Sequence, residues 1–255
     1  MKTVLALSPH LDDAAFSCGA TMARLADAGW RVCMATAFTR SIHPAQGFAL
    51  ACQLDKGLPA ETDYMALRRQ EDRNAAAHLG VTDLRWLDLP EAPHRGYDSA
   101  AALFGPIHGH DTIANDLALL LKNLVADLHP DLVLAPQGLG NHVDHRQMIR
   151  AIMDVIPDAP LAFYRDTPYA LRNPDALPYV TRDGLEPVAI DIAHGLERKV
   201  AAAAAYVSQV GFQFGGTDAA MAALRAFSLD EGEGEPAERF LSKVPMLPIL
   251  PLLHK

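Results

Sequence analysis

The sequence predicts an α/β fold, a Rossmann-like and mostly parallel sheet with helices on both faces, formed by a single domain over residues 1–255. Two observations support this fold class. Short apolar segments of β type alternate with helical segments through the first two-thirds of the chain, which is typical of parallel sheets covered on both faces. The connections are also short enough for right-handed crossovers, which place helices on the two sides of one sheet.

The N-terminal segments set this pattern. Residues 3–7 are short and apolar and stop before Pro9, as a buried strand does. A helix over residues 14–28 follows and stops at Gly29. The further predicted strands cover residues 32–38, 84–87, 132–135, 161–164, 179–181 and 188–192, and the further predicted helices cover residues 64–79, 111–128, 145–155, 196–208 and 218–227.

Two long polar segments, residues 39–63 and 89–110, interrupt this alternation and contain glycine and proline. Because structureless segments of this length are uncommon in compact domains, we expect them to be loops over a binding site. Within the second, Arg95 and Tyr97 are expected to be solvated loop residues, with contact to a sugar as the alternative. The acidic residues 230–235 are likewise expected to form a solvated loop.

Composition excludes several classes of function. Half of the residues are hydrophobic, so the bulk of the chain can bury a large core and is not intrinsically disordered. The 31 acidic and 22 basic side chains give a net charge of −9, which opposes sequence-independent binding to nucleic acid. The longest apolar run, residues 200–207, is far shorter than the ~20 residues of a membrane span.

Cysteine usage and the chain termini suggest where the protein works. The three cysteines form no CxxC pair, so reduced thiols are expected rather than a disulfide scaffold. Residues 1–7 are too short an apolar stretch for a signal peptide. We therefore expect a cytoplasmic protein. The apolar, proline-containing residues 244–253 are a candidate contact with a second copy of the chain, which leaves a homo-oligomer open.

Two segments dense in ionisable residues follow predicted strands, where ligands bind in open α/β sheets. They are residues 8–13, SPHLDD, and residues 141–146, NHVDHR. Neither carries the GxGxxG pattern of a dinucleotide site, and aspartates there would repel a pyrophosphate. Imidazole and carboxylate together favour a zinc or iron ion. Helix capping by one aspartate is the competing interpretation, but it leaves His10 and the second segment unexplained.

These motifs resemble the PIG-L/LmbE-like zinc-dependent N-deacetylases. The family's (A/S)HPDDE signature reads SPHLDDA at residues 8–14, its Gly-Gly-Thr reads CGAT at 18–21, and its HPDH reads HVDHR at 142–146. Two weaker matches are R-x-x-E-x-x-x-A-x-x-x-L-G, at Arg68, Glu71, Ala75, Leu79 and Gly80, and a lysine-bearing helix that ends in Ser-Gln, at Lys199 and Ser208-Gln209.

The resemblance implies a metal centre at the two main motifs. Zinc would be held by His10, Asp13 and His145, with ferrous iron as the alternative ion. Asp12 would then be the general base that activates water. A divalent ion of this kind lowers the pKa of a bound water to roughly 7.

The resemblance also assigns the neighbouring polar residues. His142 would protonate the leaving amine or stabilise the oxyanion, with Asp144 orienting and charging it. Arg68 would hold the substrate.

The implied activity is removal of an acyl group, foremost acetyl, from an amino sugar or sugar conjugate. The alternatives are an amidase for a larger, non-acetyl conjugate and a catalytically idle sugar- or metal-binding protein of the same fold. Three departures from the family pattern remove no implied ligand or base: Ala14 stands in place of Glu, and Leu11 and Val143 in place of prolines. We therefore expect an active enzyme that acts on a small molecule.

Overall fold

The computed structural model describes residues 1–156, 160–181 and 183–243. Their strands are β1 (Thr3–Ser8), β2 (Arg31–Phe38), β3 (Asp83–Leu89), β4 (Leu132–Pro136), β5 (Leu161–Tyr164), β6 (Leu185–Asp191) and β7 (Ala237–Lys243). Their helices are α1 (Asp13–Asp27), α2 (Gly47–Leu54), α3 (Tyr64–Leu79), α4 (Ala100–Leu103), α5 (Ile113–Leu128), α6 (Val143–Val155), α7 (Tyr169–Arg172), α8 (Leu196–Ala204), α9 (Val207–Phe214) and α10 (Thr217–Glu231), with 3-10 turns at Ala92–Arg95 and Leu139–Asn141. No helix in these ranges is long and apolar enough to cross a bilayer.

The strands form the mostly parallel sheet that the sequence predicts, in the order β3-β2-β1-β4-β5-β7-β6. β1 pairs in parallel with both β2 and β4, and β7 and β6 extend the far edge in antiparallel pairs. After β3 the chain crosses to the other side of β1, so the strand order reverses between β1 and β4. Ligands of open α/β sheets bind beyond the carboxyl ends of the strands at such a reversal.

Helices cover both faces of the sheet, as predicted. Val4 and Ala6 of β1 belong to the apolar cluster beneath α1, α3, α8 and α10. Leu5 and Leu7 belong to the cluster beneath α5 and α6. This alternation follows from the two-residue period of a strand, and it explains why β1 is apolar throughout.

The predicted strand at residues 179–181 is wrong. The backbone N–H groups of Tyr179 and Val180 both donate to the carbonyl of Gln137, at 2.9 and 3.1 Å. One acceptor therefore takes two consecutive donors, whereas a strand distributes them along a ladder. The segment therefore lies against Gln137, the first residue after β4.

The predicted single helix at residues 196–208 is also wrong, because it divides into α8 and α9. The chain leaves helical geometry around Tyr206, whose hydroxyl donates to Asp72 Oδ1 at 2.6 Å. The N–H of Ser208, in the first turn of α9, donates to Glu71 Oε1 at 2.8 Å. Two carboxylates of α3 thus hold the break in place, and the local sequence carries no sign of these distant partners.

Four further segments differ from expectation. The predicted loops at 39–63 and 89–110 contain α2 and α4, and the segment after α10 contains β7. Within the acidic run 230–235, Glu231 is buried and pairs with Arg165 instead of facing solvent. The apolar segment 244–253 lies outside the described residues.

Helix α1 is interrupted at Cys18, which has φ −128° and ψ 23°. The N–H of Thr21 beyond the break donates to Glu238 Oε2 at 2.9 Å. The ammonium of Lys199 donates to the carbonyl of Ser17 at 3.2 Å and to Glu238 Oε1 at 2.8 Å. A buried ion pair therefore satisfies the backbone groups that the interruption leaves without helical partners.

Candidate active site

The site lies where the loops after β1 and β4 meet. These strands are parallel neighbours, so their carboxyl ends open on the same edge of the sheet. The turn after β4 needs glycine at two positions, Gly138 and Gly140, with φ of 78° and 79°. A Cβ on Gly140 would lie 2.3 Å from Cδ1 of Tyr169, so the ring of Tyr169 packs directly on this backbone.

Three predicted ligands converge at this edge. Asp13 Oδ2 lies 3.2 Å from His10 Nδ1 and 3.2 Å from His145 Nε2, and the candidate ligand atoms lie within 4.8 Å of one another. His145 Nε2 is buried without a hydrogen bond to any described residue. Burial opposes a charge on His145, but Asp13 and Asp166 raise its pKa to about 9. Two imidazole nitrogens and one carboxylate oxygen converge at one point. This set of ligand atoms fits a divalent cation of the zinc type.

A second carboxylate stands behind each imidazole. His10 Nε2 lies 2.9 Å from Asp144 Oδ2, and His145 Nδ1 lies 2.6 Å from Asp166 Oδ1. Asp166 also accepts the N–H of Gly138 at 2.9 Å, which fixes its position after β5. Each ring thus presents one nitrogen to the metal group and the other to a carboxylate, the usual arrangement of metal-binding histidines.

The structure places Asp12 beside this group with a strained backbone. Its φ of 153° is rare for a residue other than glycine, and such conformations cost about 1–3 kcal/mol and cluster at functional sites. Asp12 Oδ1 lies 3.4 Å from Arg68 Nη2, and Oδ2 is buried without a hydrogen-bond partner among the described residues. Burial raises the pKa of Asp12 to about 7, although Arg68 lowers it. This carboxylate is therefore free to receive a proton.

His142 lies next to the predicted metal group, with its ring 5.0 Å from that of His10. Its Nδ1 accepts the backbone N–H of Asp144 at 3.2 Å, so the neutral ring carries its proton on Nε2. Burial lowers the pKa of His142 to about 3, against the opposing charge of Asp144. The carboxylate of Asp144 makes its hydrogen bond to His10, and it is the backbone of Asp144 that orients His142.

Arg68 enters the site from α3 and is buried. It donates to the carbonyl of Leu11 at 2.9 Å and to Glu91 Oε1 at 2.8 Å, and its guanidinium lies over the ring of Tyr64, 5.3 Å from the centroid. Its neighbour Arg69 instead donates to the carbonyl of Thr39. The register of the third motif thus places Arg68, and not Arg69, in the site.

Arg95 and Tyr97 were expected in a solvated loop, and this expectation is wrong. Tyr97 is fully buried, and its hydroxyl donates to Asp111 Oδ2 at 2.9 Å. Arg95 Nη2 lies 3.0 Å from Asp111 Oδ2 and 2.8 Å from Asp144 Oδ1. Arg95 thus joins two buried aspartates, and the charge of Arg95 helps to hold the pKa of Asp144 well below its usual range despite burial.

Sequence reasoning gave Asp166 and Arg95 no firm role. Asp166 follows the strand β5, so its place at a strand end was a usable signal. Arg95 lies in a segment without periodicity, and its two aspartate partners are 16 and 49 positions away, which no local pattern reveals.

Six of the residues described above line one cavity of about 290 Å³: His10, Asp12, Asp13, Arg68, His142 and Asp144. Its buried end, which we call the floor, is formed by His10, Asp12, Asp13, His142 and Asp144. Its open end, which we call the mouth, carries the exposed side chains of Ile42, Phe104 and Phe212. Lys56, which follows α2, and Arg68 line the wall between them.

Comparison with known proteins agrees with this geometry. The family model described as GlcNAc-PI de-N-acetylase, PIG-L, matches residues 5–156. A 2'-N-acetylparomamine deacetylase from Streptomyces fradiae is 32% identical over 212 residues, which cover 80% of this chain and 72% of that protein. A 1D-myo-inositol 2-acetamido-2-deoxy-alpha-D-glucopyranoside deacetylase from Acidothermus cellulolyticus is 27% identical over 242 residues, covering 82% and 80%. The crystal structure of teicoplanin deacetylase Orf2 in its zinc-inhibited form has the same fold, with a TM-score of 0.80 at 23% identity over 94% of this chain and 97% of that one.

Proposed function

Because this chain belongs to the PIG-L family of GlcNAc-PI de-N-acetylases, we propose that it is a metal-dependent hydrolase that removes an acetyl group from an amino sugar or amino-sugar conjugate. One observation carries the proposal. The unpartnered carboxylate oxygen of Asp12 lies on the floor of a cavity, next to two histidines and an aspartate whose ligand atoms converge. The whole chain would act as one unit, on a small molecule.

His10, Asp13 and His145 would hold the ion, with zinc first and ferrous iron as the alternative. Such an ion supplies a Lewis acid for the amide carbonyl and makes water more acidic. Asp144 and Asp166 would orient the two imidazoles through their second nitrogens. In this role Asp144 acts on His10 through its carboxylate, and on His142 through its backbone N–H and through the charge of its carboxylate.

Asp12 would accept the proton of the attacking water on its free oxygen. Its raised pKa suits a general base near neutral pH, because such a group is ionised yet still basic. Water adds to the carbonyl carbon, the C–N bond breaks, and the products are acetate and a free amine. Asp12 precedes α1, but its carboxylate makes none of the capping hydrogen bonds that an aspartate usually makes at this position.

His142 would act as a proton donor in the reaction. The proton on its Nε2 can be donated to the developing oxyanion or to the departing nitrogen, since Nδ1 is already occupied by the N–H of Asp144. Arg68, held between Asp12, Glu91 and Tyr64, would position the substrate and partly neutralise Asp12.

The family's weaker motifs support the site indirectly. Glu71 of the third motif binds Ser208 of the fourth, with Ser208 Oγ donating to Glu71 Oε2 at 2.7 Å. Gln209 donates to the hydroxyl of Tyr64, beside Arg68, at 2.9 Å. We also infer a cytoplasmic setting, which the free thiols of Cys18 and Cys33 support.

The test combines metal content with amine release. The purified protein is assayed for zinc and iron and for amine release from a panel of N-acetylated amino sugars, before chelation, after it, and after each ion is restored. We expect about one ion per chain, and amine release that chelation abolishes and the ion restores. A folded protein that neither contains nor binds a divalent ion contradicts the proposal, and a metal-loaded protein that releases no amine contradicts its acetyl-sugar substrate.

A further inference from the structure

Tyr169 differs from the tyrosines of the core and from its neighbour in the cavity in having no fixed partner. Three tyrosines are fully buried, and each donates its hydroxyl to an acceptor of the fold at 2.6–2.9 Å: Tyr97, Tyr164 and Tyr206. Tyr64 and Tyr169 line the cavity, and the hydroxyl of Tyr64 accepts a hydrogen bond from Gln209 at 2.9 Å. Among the described residues the hydroxyl of Tyr169 has no hydrogen-bond partner. Because such a group usually finds one, this hydroxyl is available to a bound molecule.

Packing fixes the ring of Tyr169 at the edge of the floor. Tyr169 is the first residue of α7, in the segment after β5 that also carries Asp166 behind His145. The rings of Tyr169 and His145 are perpendicular, with centroids 5.5 Å apart, and the ring of Phe104 lies beside Tyr169 at 6.1 Å. A Cβ at Gly140 would overlap Cδ1 of Tyr169. A bound substrate would therefore meet the hydroxyl in a preset position.

The hydroxyl of Tyr169 is a hydrogen-bond donor at neutral pH. A tyrosine keeps its proton near pH 7 even at its ordinary pKa of about 10. Burial raises the pKa of Tyr169 well above that value, and the negative charges of Asp13 and Asp12 raise it further. Those two carboxylates belong to the floor, so the hydroxyl lies near the groups that would act on the amide. It can donate a hydrogen bond there, but it does not act as a base.

The reaction needs more than one donor on this side of the floor. Under the proposed function, on which this inference rests, the amide oxygen becomes negatively charged when water adds to the carbonyl carbon, and the amide nitrogen then departs. Fixed donors at such an oxygen lower the barrier. His142 offers one N–H, on Nε2, which cannot serve the oxygen and the nitrogen at once. Tyr169 stands on the same side, because its ring and that of His142 lie beside His145, at 5.5 and 5.6 Å.

We propose that Tyr169 is a catalytic residue whose hydroxyl donates a hydrogen bond to the oxygen of the scissile amide. The bond strengthens as this oxygen becomes charged, since hydrogen bonds to ionised acceptors are roughly twice as strong as neutral ones. Tyr169 keeps its proton throughout, so its role adds no covalent step. The N–H of His142 is then free to serve the departing nitrogen, and glycine is required at position 140 because it leaves room for the ring of Tyr169.

Tyr169→Phe tests this role, because it removes the hydroxyl and keeps the ring that packs on Gly140. Amine release from the N-acetylated sugar that the wild-type protein hydrolyses fastest gives kcat and KM. Calorimetry on the zinc-loaded protein gives Kd for the methylphosphonamidate analogue of that sugar, in which a tetrahedral, anionic phosphorus group replaces the acetyl group. We expect kcat to fall about tenfold to a hundredfold and the Kd of the analogue to rise by a similar factor, while KM changes by less than about threefold.

Two controls isolate the hydroxyl. Tyr179→Phe removes a hydroxyl from a tyrosine outside the cavity and should leave kcat and the Kd of the analogue unchanged. The zinc affinity of Tyr169→Phe, measured by competition with a chromophoric chelator, should equal that of the wild-type protein, because Tyr169 is not an implied ligand.

The outcomes separate this inference from the proposed function. An active enzyme in which Tyr169→Phe changes neither kcat nor the Kd of the analogue overturns the role of Tyr169 alone. A rise in KM with kcat unchanged overturns it as well, because the hydroxyl would then bind the substrate equally in the ground and transition states. A loss of zinc affinity also overturns it, because Tyr169 would then belong to the metal site. A wild-type protein that releases no amine from any N-acetylated sugar overturns the proposed function and this inference together.

Discussion

The floor and the mouth of the cavity are built in different ways. Floor residues follow β1 and β4, are largely buried, and hold one another through hydrogen bonds such as that of His10 to Asp144. Mouth residues come from loops and short helices and expose apolar side chains. The sheet therefore fixes the floor residues, while the segments that carry the mouth can vary without disturbing them.

Asp12→Asn should give the largest effect, a loss of kcat, and should leave the mouth unchanged. The amide has nearly the same shape but cannot accept the proton of water, so kcat should fall by about a hundredfold to ten-thousandfold. Metal content and the Kd of an N-acetylated amino sugar should stay the same, because Asp12 is not an implied metal ligand. Equal loss of metal and of activity would show that Asp12 and Asp13 have been assigned the wrong roles.

Lys199→Met should reduce stability and leave the chemistry of the floor intact. The substitution leaves Glu238 buried without its cation, and breaking a buried pair costs about 3–5 kcal/mol of unfolding free energy. Denaturant unfolding of the metal-free protein measures this cost. The matched control is Arg225→Met, which breaks the exposed pair with Glu197 and should cost about 0–1 kcal/mol.

A loss of metal binding in Lys199→Met without a loss of stability would contradict the expectation that the Lys199–Glu238 pair stabilises the fold and leaves the floor unchanged. It would mean that the interruption of α1 at Cys18 positions Asp13, five residues earlier, and not only the helix itself. The buried pair would then belong to the floor.

Asp144→Asn and Asp166→Asn should behave alike. Each substitution alters the carboxylate behind one implied ligand, and changes of this kind cost about 10–100-fold in metal affinity. Competition with a chromophoric chelator measures zinc affinity directly, without reference to activity. If Asp144 instead acts by stabilising the protonated form of His142, Asp144→Asn will lower kcat and leave zinc affinity unchanged. The two variants will then differ.

Much of the floor could be predicted from the sequence because its residues lie in two short motifs that follow strands. The first main motif directly follows β1, and the second follows β4 across a short turn. The strand order brings the two together at the reversal between β1 and β4. The positions at strand ends predicted that the two motifs meet, and the family resemblance then selected His10, Asp13 and His145 within them. Asp166 follows a third strand and was within reach of the same reasoning.

The surroundings of the floor could not be predicted in this way. Arg95 was expected in solvent because its segment is polar and irregular, yet its partners Asp111 and Asp144 hold it in a buried position. The break between α8 and α9 depends in the same way on Glu71, which is 137 positions from Ser208. β7 escaped prediction because its sequence, AERFLSK, mixes charged and apolar residues that only its antiparallel neighbours explain.

Lys56→Met should give the smallest effect and should identify the wall as a binding surface. The ammonium of Lys56 makes one hydrogen bond among the described residues, so donors remain for a substrate hydroxyl, and one such bond contributes about 0.5–1.5 kcal/mol. KM should rise about threefold to tenfold while kcat stays within about twofold, as expected when an interaction is equal in ground and transition states. The control is Lys122→Met, an exposed lysine of α5. A fall in kcat with KM unchanged would place Lys56 with the floor, because its interaction would then form only in the transition state.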